Sequence, residues 1–229
     1  MAYSRKLGIF VKVPRPGKVK TRLVPPLSPE EACELYGAFL EDLFVRLARL
    51  KKIDATVFYA GDDEGALRRL VPEGFDLRRQ HGAHLGERLC NAFGHLLGGE
   101  SGTALIIGSD SPDVPLVFLK RAWLKLKRKD VVLGPSSDGG YYLIGLRKTI
   151  DPLFEGVTWG SDVVLEQTLD RIHRNELAFS LLPIWYDVDS PHSLALLQSM
   201  LFARRIERRD RLQHTERVLA ALNNRGPRG

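Results

Sequence analysis

Short apolar segments alternate with amphipathic segments along most of the chain. An apolar run bounded by turn residues predicts a buried strand, and apolar residues at helical spacing predict a helix that packs on the sheet. The predicted strands are residues 6–13, 55–60, 75–79, 104–107, 130–133, 141–146 and 179–184. The predicted helices are residues 64–70, 84–97, 115–127 and 162–174, with two more that begin near Ser28 and Pro191.

The start of the first helix carries a clear local signal. Ser28 has the side chain of an N-cap, Pro29 suits the first helical position, and Glu31 completes a capping box. The preceding residues 14–26 contain four prolines and a glycine. They are therefore predicted to lack regular structure.

The order of the elements predicts an α/β protein with a mostly parallel sheet covered by helices on both faces. In such sheets ligands bind beyond the carboxyl ends of the strands, so a site is expected in the loops that follow strands. The sequence shows no internal repeat and no linker. We therefore expect one domain over residues 1–203, followed by a basic helical extension over residues 204–229.

The formal net charge of +6 is concentrated near the C-terminus. Residues 204–228 contain eight arginines and three acidic residues, which gives this segment a charge of +5. Apolar residues such as Ile206, Leu212 and Leu219 lie among the arginines. This pattern favours a helix packed on the domain or on a partner over an arm that binds nucleic acid, and its apolar seam is compatible with a homodimer.

Missing motifs exclude several classes of protein. No apolar run reaches the ~20 residues of a transmembrane helix, and the first residues lack a signal peptide, so a cytoplasmic location without membrane contact is expected by default. Cys33 and Cys90 have no paired Cys or His spacing, which argues against a cysteine metal site. The chain contains no GxSxG nucleophile elbow, no GxGxxG after the first strand and no Walker loop.

Five basic side chains lie in the loop that follows the first predicted strand, between Lys12 and Arg22. Prolines stiffen this loop, and its backbone can approach phosphate oxygens closely at the glycine. The loop can therefore bind a di- or triphosphate, and a solvated basic loop is the alternative. The candidate phosphate-binding residues are Lys12, Gly17, Lys18, Lys20, Thr21 and Arg22.

The stretch GSDSPDVP places two acidic residues directly after the predicted strand 104–107. A divalent cation that bridges nucleotide phosphates uses one or two carboxylates, and Asp110 is a candidate ligand for it. Asp113 is interpreted instead as the cap of the helix that begins near Pro115.

A second acidic pair lies in the segment DVDSP. Asp187 and Asp189 share one face of an extended chain, because side chains alternate with a period of two. Two carboxylates on one face repel each other unless a cation lies between them. The alternative is that Asp189 or Ser190 caps the last helical region.

The stretch from Gly134 to Gly145 contains Asp138 followed by two glycines. Adjacent glycines let the backbone approach a ligand, and Asp138 can accept a hydrogen bond from a hydroxyl. Asp-Gly-Gly is also a strong turn signal, and taken alone this stretch is better interpreted as a hairpin turn.

Together these stretches resemble a bacterial family of glycosyltransferase-A-fold proteins found near radical-SAM genes of the arsenosugar type. The matching stretches are KVPRPGKVKTRL, QHGAHLGERL, GSDSPDVP, LGPSSDGGYYLIGL, GVTW and DVDSP. The chain is more distantly similar to 2-phospholactate guanylyltransferases and molybdenum-cofactor guanylyltransferases. The resemblance implies a three-layer, Rossmann-like nucleotide-diphospho-sugar transferase fold and a transferase that depends on Mg²⁺ or Mn²⁺.

The resemblance also implies a role for individual residues. The implied metal ligands are Asp110, Asp187 and Asp189. The residues implied to bind the nucleotide and its phosphates are Lys12, Gly17, Lys18, Lys20, Thr21, Arg22, Gln80, Gly82 and Arg88. Those implied to lie near the transferred group or its acceptor are Asp138, Gly139, Gly140, Tyr141 and Trp159. The implied catalytic residues are Lys20, Arg22 and Asp138.

The function expected from the sequence is a metal-dependent transferase that acts on a nucleotide substrate and a small-molecule acceptor. Glycosyl transfer from a nucleotide-sugar donor is placed first, following the family resemblance. Nucleotidyl transfer with release of pyrophosphate is the alternative, because a crowded basic loop suits a triphosphate. A further alternative is a nucleotide-binding protein without catalytic activity.

Overall fold

A seven-stranded sheet forms the centre of the protein in the computed structural model, which describes residues 4–98, 102–207 and 210–224. The strands are β1 (Ser4–Lys12), β2 (Asp54–Ala60), β3 (Asp76–Arg79), β4 (Gly102–Gly108), β5 (Val131–Pro135), β6 (Tyr141–Leu146) and β7 (Phe179–Leu181). They lie in the order β3-β2-β1-β4-β6-β5-β7, and neighbouring strands are parallel except where β6 pairs with β4 and β5. The predicted α/β class with a mostly parallel sheet is confirmed.

The helices of the described residues are α1 (Pro29–Leu47), α2 (Glu64–Arg68), α3 (Leu85–Leu97), α4 (Leu116–Leu126), α5 (Val164–Arg174), α6 (Pro191–Ile206) and α7 (Gln213–Asn223). None of these helices combines the length and apolar character needed to cross a membrane. Every predicted strand and helix is present, with bounds that differ by a few residues. The last helical region, however, is divided into α6 and α7.

The prediction that residues 14–26 lack regular structure is wrong at one turn, because Thr21–Leu23 form a 3-10 helix. The backbone N–H of Leu23 donates to the carbonyl oxygen of Lys20 at 2.9 Å, which closes this turn. Leu23 is fully buried in the core. Burial of Leu23, together with that of Val19 in the same core, therefore stabilises a turn in this proline-rich segment.

The central strands are buried on both faces, which explains their continuous apolar runs. In β4, Leu105 and Ile107 pack into the core that includes α1 and α4, whereas Ala104 and Ile106 pack into the core that includes α3. Side chains alternate across a strand, so one run of apolar residues fills two cores. Each fully buried Leu or Ile stabilises the fold by about 1.5–3 kcal/mol relative to an exposed one.

Two helices begin at capping boxes that anchor the loops leading to them. At α1, Ser28 Oγ accepts a hydrogen bond from the Glu31 N–H at 3.2 Å, and the Glu31 carboxylate accepts one from the Ser28 N–H at 2.8 Å. At α6, Ser190 Oγ accepts from the Ser193 N–H at 3.2 Å. The predicted cap of α1 is confirmed, and Ser190 rather than Asp189 caps α6.

The interpretation of Asp113 as a helix cap is wrong. The N-cap of α4 is Pro115, which makes no side-chain capping bond. The Asp113 side chain is fully buried and accepts hydrogen bonds from Trp185 Nε1 at 3.1 Å and from the Tyr186 hydroxyl at 2.8 Å. A buried carboxylate needs strong donors, and the aromatic pair before the DVD segment supplies them.

The C-terminal helix α7 lies against α1. Leu212 and Leu219 are buried in the same core as the sheet. Asp42 on α1 accepts hydrogen bonds from the N–H groups of His214 at 3.2 Å and Thr215 at 2.7 Å. A carboxylate of one helix therefore caps N–H groups at the start of the other, which have no acceptor within their own helix.

Candidate functional site

A cavity of about 850 Å³ lies at the carboxyl ends of β1, β2 and β4 and beside the turn between β5 and β6. This is the edge at which parallel α/β sheets bind ligands. Most of the site residues predicted from the sequence line it. They are Lys12, Lys18, Lys20, Thr21, Arg22, Gln80, Arg88, Asp110, Asp138, Gly140, Tyr141, Trp159, Asp187 and Asp189.

Gly17, Gly82 and Gly139 are the predicted site residues that do not line the cavity. All three have positive φ angles, of 71°, 133° and 90° respectively. At Gly139 an added Cβ would lie 2.0 Å from the carbonyl oxygen of Asp162. Backbone shape and close packing therefore account for these glycines, and their contact with a ligand stays a prediction.

The side chains of Asp110 and Asp189 converge on the ammonium group of Lys20. Lys20 Nζ donates hydrogen bonds to Asp110 Oδ1 and, at 2.8 Å, to Asp189 Oδ1. The backbones are joined as well, because the Val188 N–H donates to the carbonyl oxygen of Asp110 at 2.8 Å. Lys20 is 2% exposed, whereas Asp110 and Asp189 are 46% and 41% exposed. The two carboxylates therefore remain accessible from the cavity, with the lysine behind them.

Lys20 and Asp110 stay charged at neutral pH. Burial opposes the charge of Lys20, but the carboxylates of Asp110 and Asp189 outweigh it and raise the pKa of the ammonium group. Burial likewise opposes the charge of Asp110, and the charge and hydrogen bond of Lys20 lower the pKa of that carboxyl group. A positive and a negative group are thus held ionised side by side at the base of the cavity.

Aromatic residues of α1 hold Lys20 in place. Lys20 has a left-handed backbone with φ of 49°, and its ammonium group lies 5.6 Å from the ring centroid of Tyr36 and 5.7 Å from that of Phe39. Both distances lie within the range of cation–π attraction. The Tyr36 hydroxyl lies 2.8 Å from Ser109 Oγ and accepts a hydrogen bond from the Lys12 N–H at 3.0 Å.

The sequence did not identify Tyr36, Phe39 and Ser109 as parts of the site. Tyr36 and Phe39 belong to the apolar stripe of α1, whose spacing indicates core packing. One feature of the sequence could have pointed to the site, namely a tyrosine within that apolar stripe. Its buried hydroxyl needs a hydrogen-bonding partner.

Asp187 lies in the same cavity with a different set of partners. Its carboxylate accepts hydrogen bonds from Ser111 Oγ at 2.6 Å and Ser136 Oγ at 2.7 Å. Burial raises the pKa of Asp187 to about 6, aided by the negative charges of Asp110 and Asp138, although the two serines lower it. Ionisation of Asp187 therefore lowers the stability of the folded state.

We expect Asp187→Asn to raise the free energy of unfolding at pH 7 by about 1–2 kcal/mol. This is part of the roughly 3 kcal/mol that a pKa raised from 3.8 to about 6 represents at about 1.4 kcal/mol per pKa unit. The folded state binds the Asp187 proton more tightly than the unfolded state does, since its pKa is raised to about 6. Wild-type stability should therefore fall as pH rises from the ordinary carboxyl range through pH 6, and the variant should lack this fall. Denaturant unfolding in EDTA at several pH values measures both effects.

Matching pH profiles for the two proteins would contradict the burial of a charged Asp187. Asp76→Asn provides the control, because Asp76 is exposed at the edge strand β3. Its replacement should leave the pH profile of stability unchanged.

The acidic residues suit a cation that is held jointly with phosphates. Among the described residues, no group of three or more His, Cys, Asp or Glu side chains is arranged to hold a metal ion. Mg²⁺ is usually bound by one or two carboxylates, with substrate phosphates and waters as its other ligands. The exposed carboxylates of Asp110 and Asp189 fit this arrangement, and they do not form a closed protein cage.

Two further predicted residues are fixed by backbone contacts beside the cavity. Gln80 Nε2 donates to the carbonyl oxygens of Val11 at 3.3 Å and Phe58 at 2.9 Å, which ties the end of β3 to β1 and β2. Arg88 Nε donates to the carbonyl oxygen of Gly82 at 3.1 Å. The guanidinium group of Arg88 is thereby oriented at the start of α3, where a positive side chain can meet an anionic ligand.

The sequence matches one family, described as uncharacterized protein conserved in bacteria (DUF2064), over residues 43–161. No curated protein matched the sequence. Among solved structures, the chain is similar to a candidate nucleotide-diphospho-sugar transferase from Desulfovibrio desulfuricans G20. The identity is 35%, the match covers 82% of this chain and 83% of that chain, and the TM-score is 0.76.

More distant structures share the fold. The chain is similar to 4-diphosphocytidyl-2C-methyl-D-erythritol synthase from Anaerococcus prevotii DSM 20548, with 12% identity, coverage of 87% and 96% of the two chains, and a TM-score of 0.59. It is also similar to Rv0371c of Mycobacterium tuberculosis H37Rv in complex with manganese, with 15% identity, coverage of 84% and 97%, and a TM-score of 0.51. The predicted nucleotide-diphospho-sugar transferase fold is confirmed.

Proposed function

The chain belongs to the family of conserved bacterial proteins described as uncharacterized (DUF2064), and from this premise we propose that it transfers a glycosyl group from a nucleotide-sugar donor to a small-molecule acceptor, with Mg²⁺ or Mn²⁺. The observation that carries this proposal is the convergence of Asp110, Asp189 and Lys20 at one point of the cavity. The 35% identical relative, itself a candidate nucleotide-diphospho-sugar transferase, supports the choice of donor. The manganese complex of Rv0371c supports the choice of metal.

Charged side chains of the chain would bind the diphosphate of the donor. A bound divalent cation would supply charge neutralisation for the leaving nucleoside diphosphate. Asp110 and Asp189 are the residues that would hold this cation. Lys12 and Arg22 line the cavity and would contact the phosphate oxygens, where their charges stabilise the negative charge that develops as the bond to the sugar breaks.

Asp138 is the candidate base for the acceptor. It lines the cavity at the turn between β5 and β6, and its Oδ1 accepts a hydrogen bond from the Gly140 N–H at 3.0 Å, which orients the carboxylate. In the proposed reaction the acceptor oxygen attacks the anomeric carbon and the bond from that carbon to the diphosphate breaks. The acceptor proton passes to Asp138.

Nucleotidyl transfer is the second candidate, and one observation favours it. Five basic side chains line the cavity, namely Lys12, Lys18, Lys20, Arg22 and Arg88. A triphosphate carries more negative charge than the diphosphate of a nucleotide sugar, so it gains more from this group of cations. In that reaction an acceptor oxygen attacks the α-phosphorus and pyrophosphate leaves.

Product analysis separates the two reactions. The protein is incubated with Mn²⁺ and an acceptor panel, first with nucleotide sugars and then with nucleoside triphosphates. We expect release of a nucleoside diphosphate from one of the sugar donors. Pyrophosphate release from a triphosphate would overturn glycosyl transfer in favour of the second candidate.

Removal of the metal is expected to abolish both turnover and tight nucleotide binding. Without the metal, the two carboxylates would face the phosphates directly, with only the charge of Lys20 behind them to offset theirs, and like charges repel. Titration of nucleotides in EDTA, followed by titration with Mn²⁺ restored, measures this effect. Nucleotide binding that is equally tight in EDTA would contradict the metal-dependent proposal.

A further inference from the structure

Gly108, the last residue of β4, is a glycine that neither the backbone nor the packing of the protein requires. Its φ angle lies outside the left-handed region, and an added Cβ would meet no other atom within 4 Å. Glycine in a strand lowers stability relative to alanine, because it loses more conformational freedom on folding. The fold alone therefore gives no reason for a glycine at this position.

Other strand glycines differ from Gly108 in this respect. An added Cβ would lie 3.0 Å from the side chain of Ile106 at Gly8, and 2.4 Å from the ring of Tyr142 at Gly134. At Gly145 it would lie 2.6 Å from the side chain of Leu105. Packing within the sheet explains these three glycines, so the open space at Gly108 is a distinguishing feature.

Gly108 lies in the candidate site. It is exposed, it lines the cavity and it precedes Asp110 by two residues. The strand ends at Gly108, and Asp110 lies in the bend that follows directly. Both residues line the cavity, so a ligand bound at Asp110 would have the backbone of Gly108 beside it.

The surroundings of Gly108 indicate which part of a nucleotide passes over it. In the sheet register Gly108 lies opposite Phe10 of β1. Phe10, Leu85 and Leu89 contribute apolar surface to the lining of the cavity. Ring faces of a sugar or a base bury apolar surface against such side chains, whereas the polar residues Asp138 and Asp162, which also line the cavity, suit a hydroxyl-rich group.

We propose that the nucleoside part of the nucleotide packs directly against the backbone of Gly108, next to the phosphates bound at Asp110. This inference rests on the proposed nucleotide-dependent function and adds a specificity-determining residue to it. A side chain at position 108 would occupy the space that the nucleoside needs. The phosphates, held at the carboxylates and the basic loop, would not be displaced.

The test compares Gly108→Ala with the wild-type protein in calorimetric titrations with Mn²⁺. The probes are the four common nucleoside diphosphates and inorganic pyrophosphate, which lacks a nucleoside. We expect Gly108→Ala to weaken binding of the preferred nucleoside diphosphate at least tenfold, with unchanged affinity for pyrophosphate and an unchanged or higher melting temperature. Gly108→Val should weaken nucleotide binding further, because its side chain is larger.

Gly94→Ala is the matched control. Gly94 lies in α3, an added Cβ there also meets nothing within 4 Å, and it does not line the cavity. This variant should bind nucleotides as the wild type does. Equal nucleotide affinity of Gly108→Ala and wild type, or an equal loss of nucleotide and pyrophosphate binding, would overturn the inference. A wild-type protein that binds pyrophosphate but no nucleotide would overturn the proposed function itself.

Discussion

Replacing Asp110 by asparagine is expected to lower turnover of the nucleotide substrate by about a thousandfold, the loss typical for a preorganised charged contact to the reacting group. Asp110 follows the central strand β4 and pairs with Lys20, yet its side chain remains 46% exposed. Asparagine keeps the size of the side chain and removes its negative charge. The cation and Lys20 would then share a single carboxylate, that of Asp189.

Steady-state kinetics over a range of Mn²⁺ concentrations tests this expectation. A lost ligand should raise the Mn²⁺ concentration needed for half-maximal rate, as well as lower kcat. Asp170→Asn is the control, because Asp170 lies on α5 and pairs with the exposed Arg174 at 3.0 Å. Wild-type kinetics for Asp110→Asn at every Mn²⁺ concentration would show that Asp110 does not hold the cation.

The sheet and the edge that carries the site could be predicted because their signals are local. A run such as TALII before Gly108 has the length and β-branched content of a buried strand. Ser28 and Glu31 mark the start of α1 by hydrogen bonds within four consecutive residues. Ligand sites in parallel sheets lie at the carboxyl ends of the strands, so the predicted loops point to the cavity before any contact is known.

The internal geometry of the site could not be predicted, because it depends on contacts that are distant in sequence. The ion pair between Lys20 and Asp110 joins residues that are 90 positions apart in the sequence. The left-handed backbone at position 20 is also not signalled by the sequence, because the residue there is a lysine and not a glycine. Sequence patterns placed Lys20 with the phosphate-binding residues and Asp110 with the metal ligands. The structure brings them into direct contact over the rings of Tyr36 and Phe39.

Replacing Asp113 by alanine is expected to reduce the free energy of unfolding by about 3–5 kcal/mol, the cost of removing one partner of a buried charged network. The Asp113 carboxylate accepts hydrogen bonds from Trp185 and Tyr186, and Arg204 lies 3.6 Å from it. Alanine would leave two aromatic donors and a mostly buried guanidinium group without this partner. Whole domains are stable by only about 5–15 kcal/mol, so this loss is severe.

Denaturant unfolding compares Asp113→Ala with Asp62→Ala, which removes an exposed carboxylate that is 2.8 Å from Arg79. The exposed pair should contribute less than about 1 kcal/mol to the free energy of unfolding.

The Asp113→Ala protein that remains folded should also require more Mn²⁺ for nucleotide binding, because Trp185 and Tyr186 directly precede Asp187. Asp113→Asn keeps one acceptor oxygen and should lie between wild type and alanine. If Asp113→Ala were no less stable than Asp62→Ala, the DVD segment would be anchored by the packing of Trp185 against Phe118 and not by the buried carboxylate.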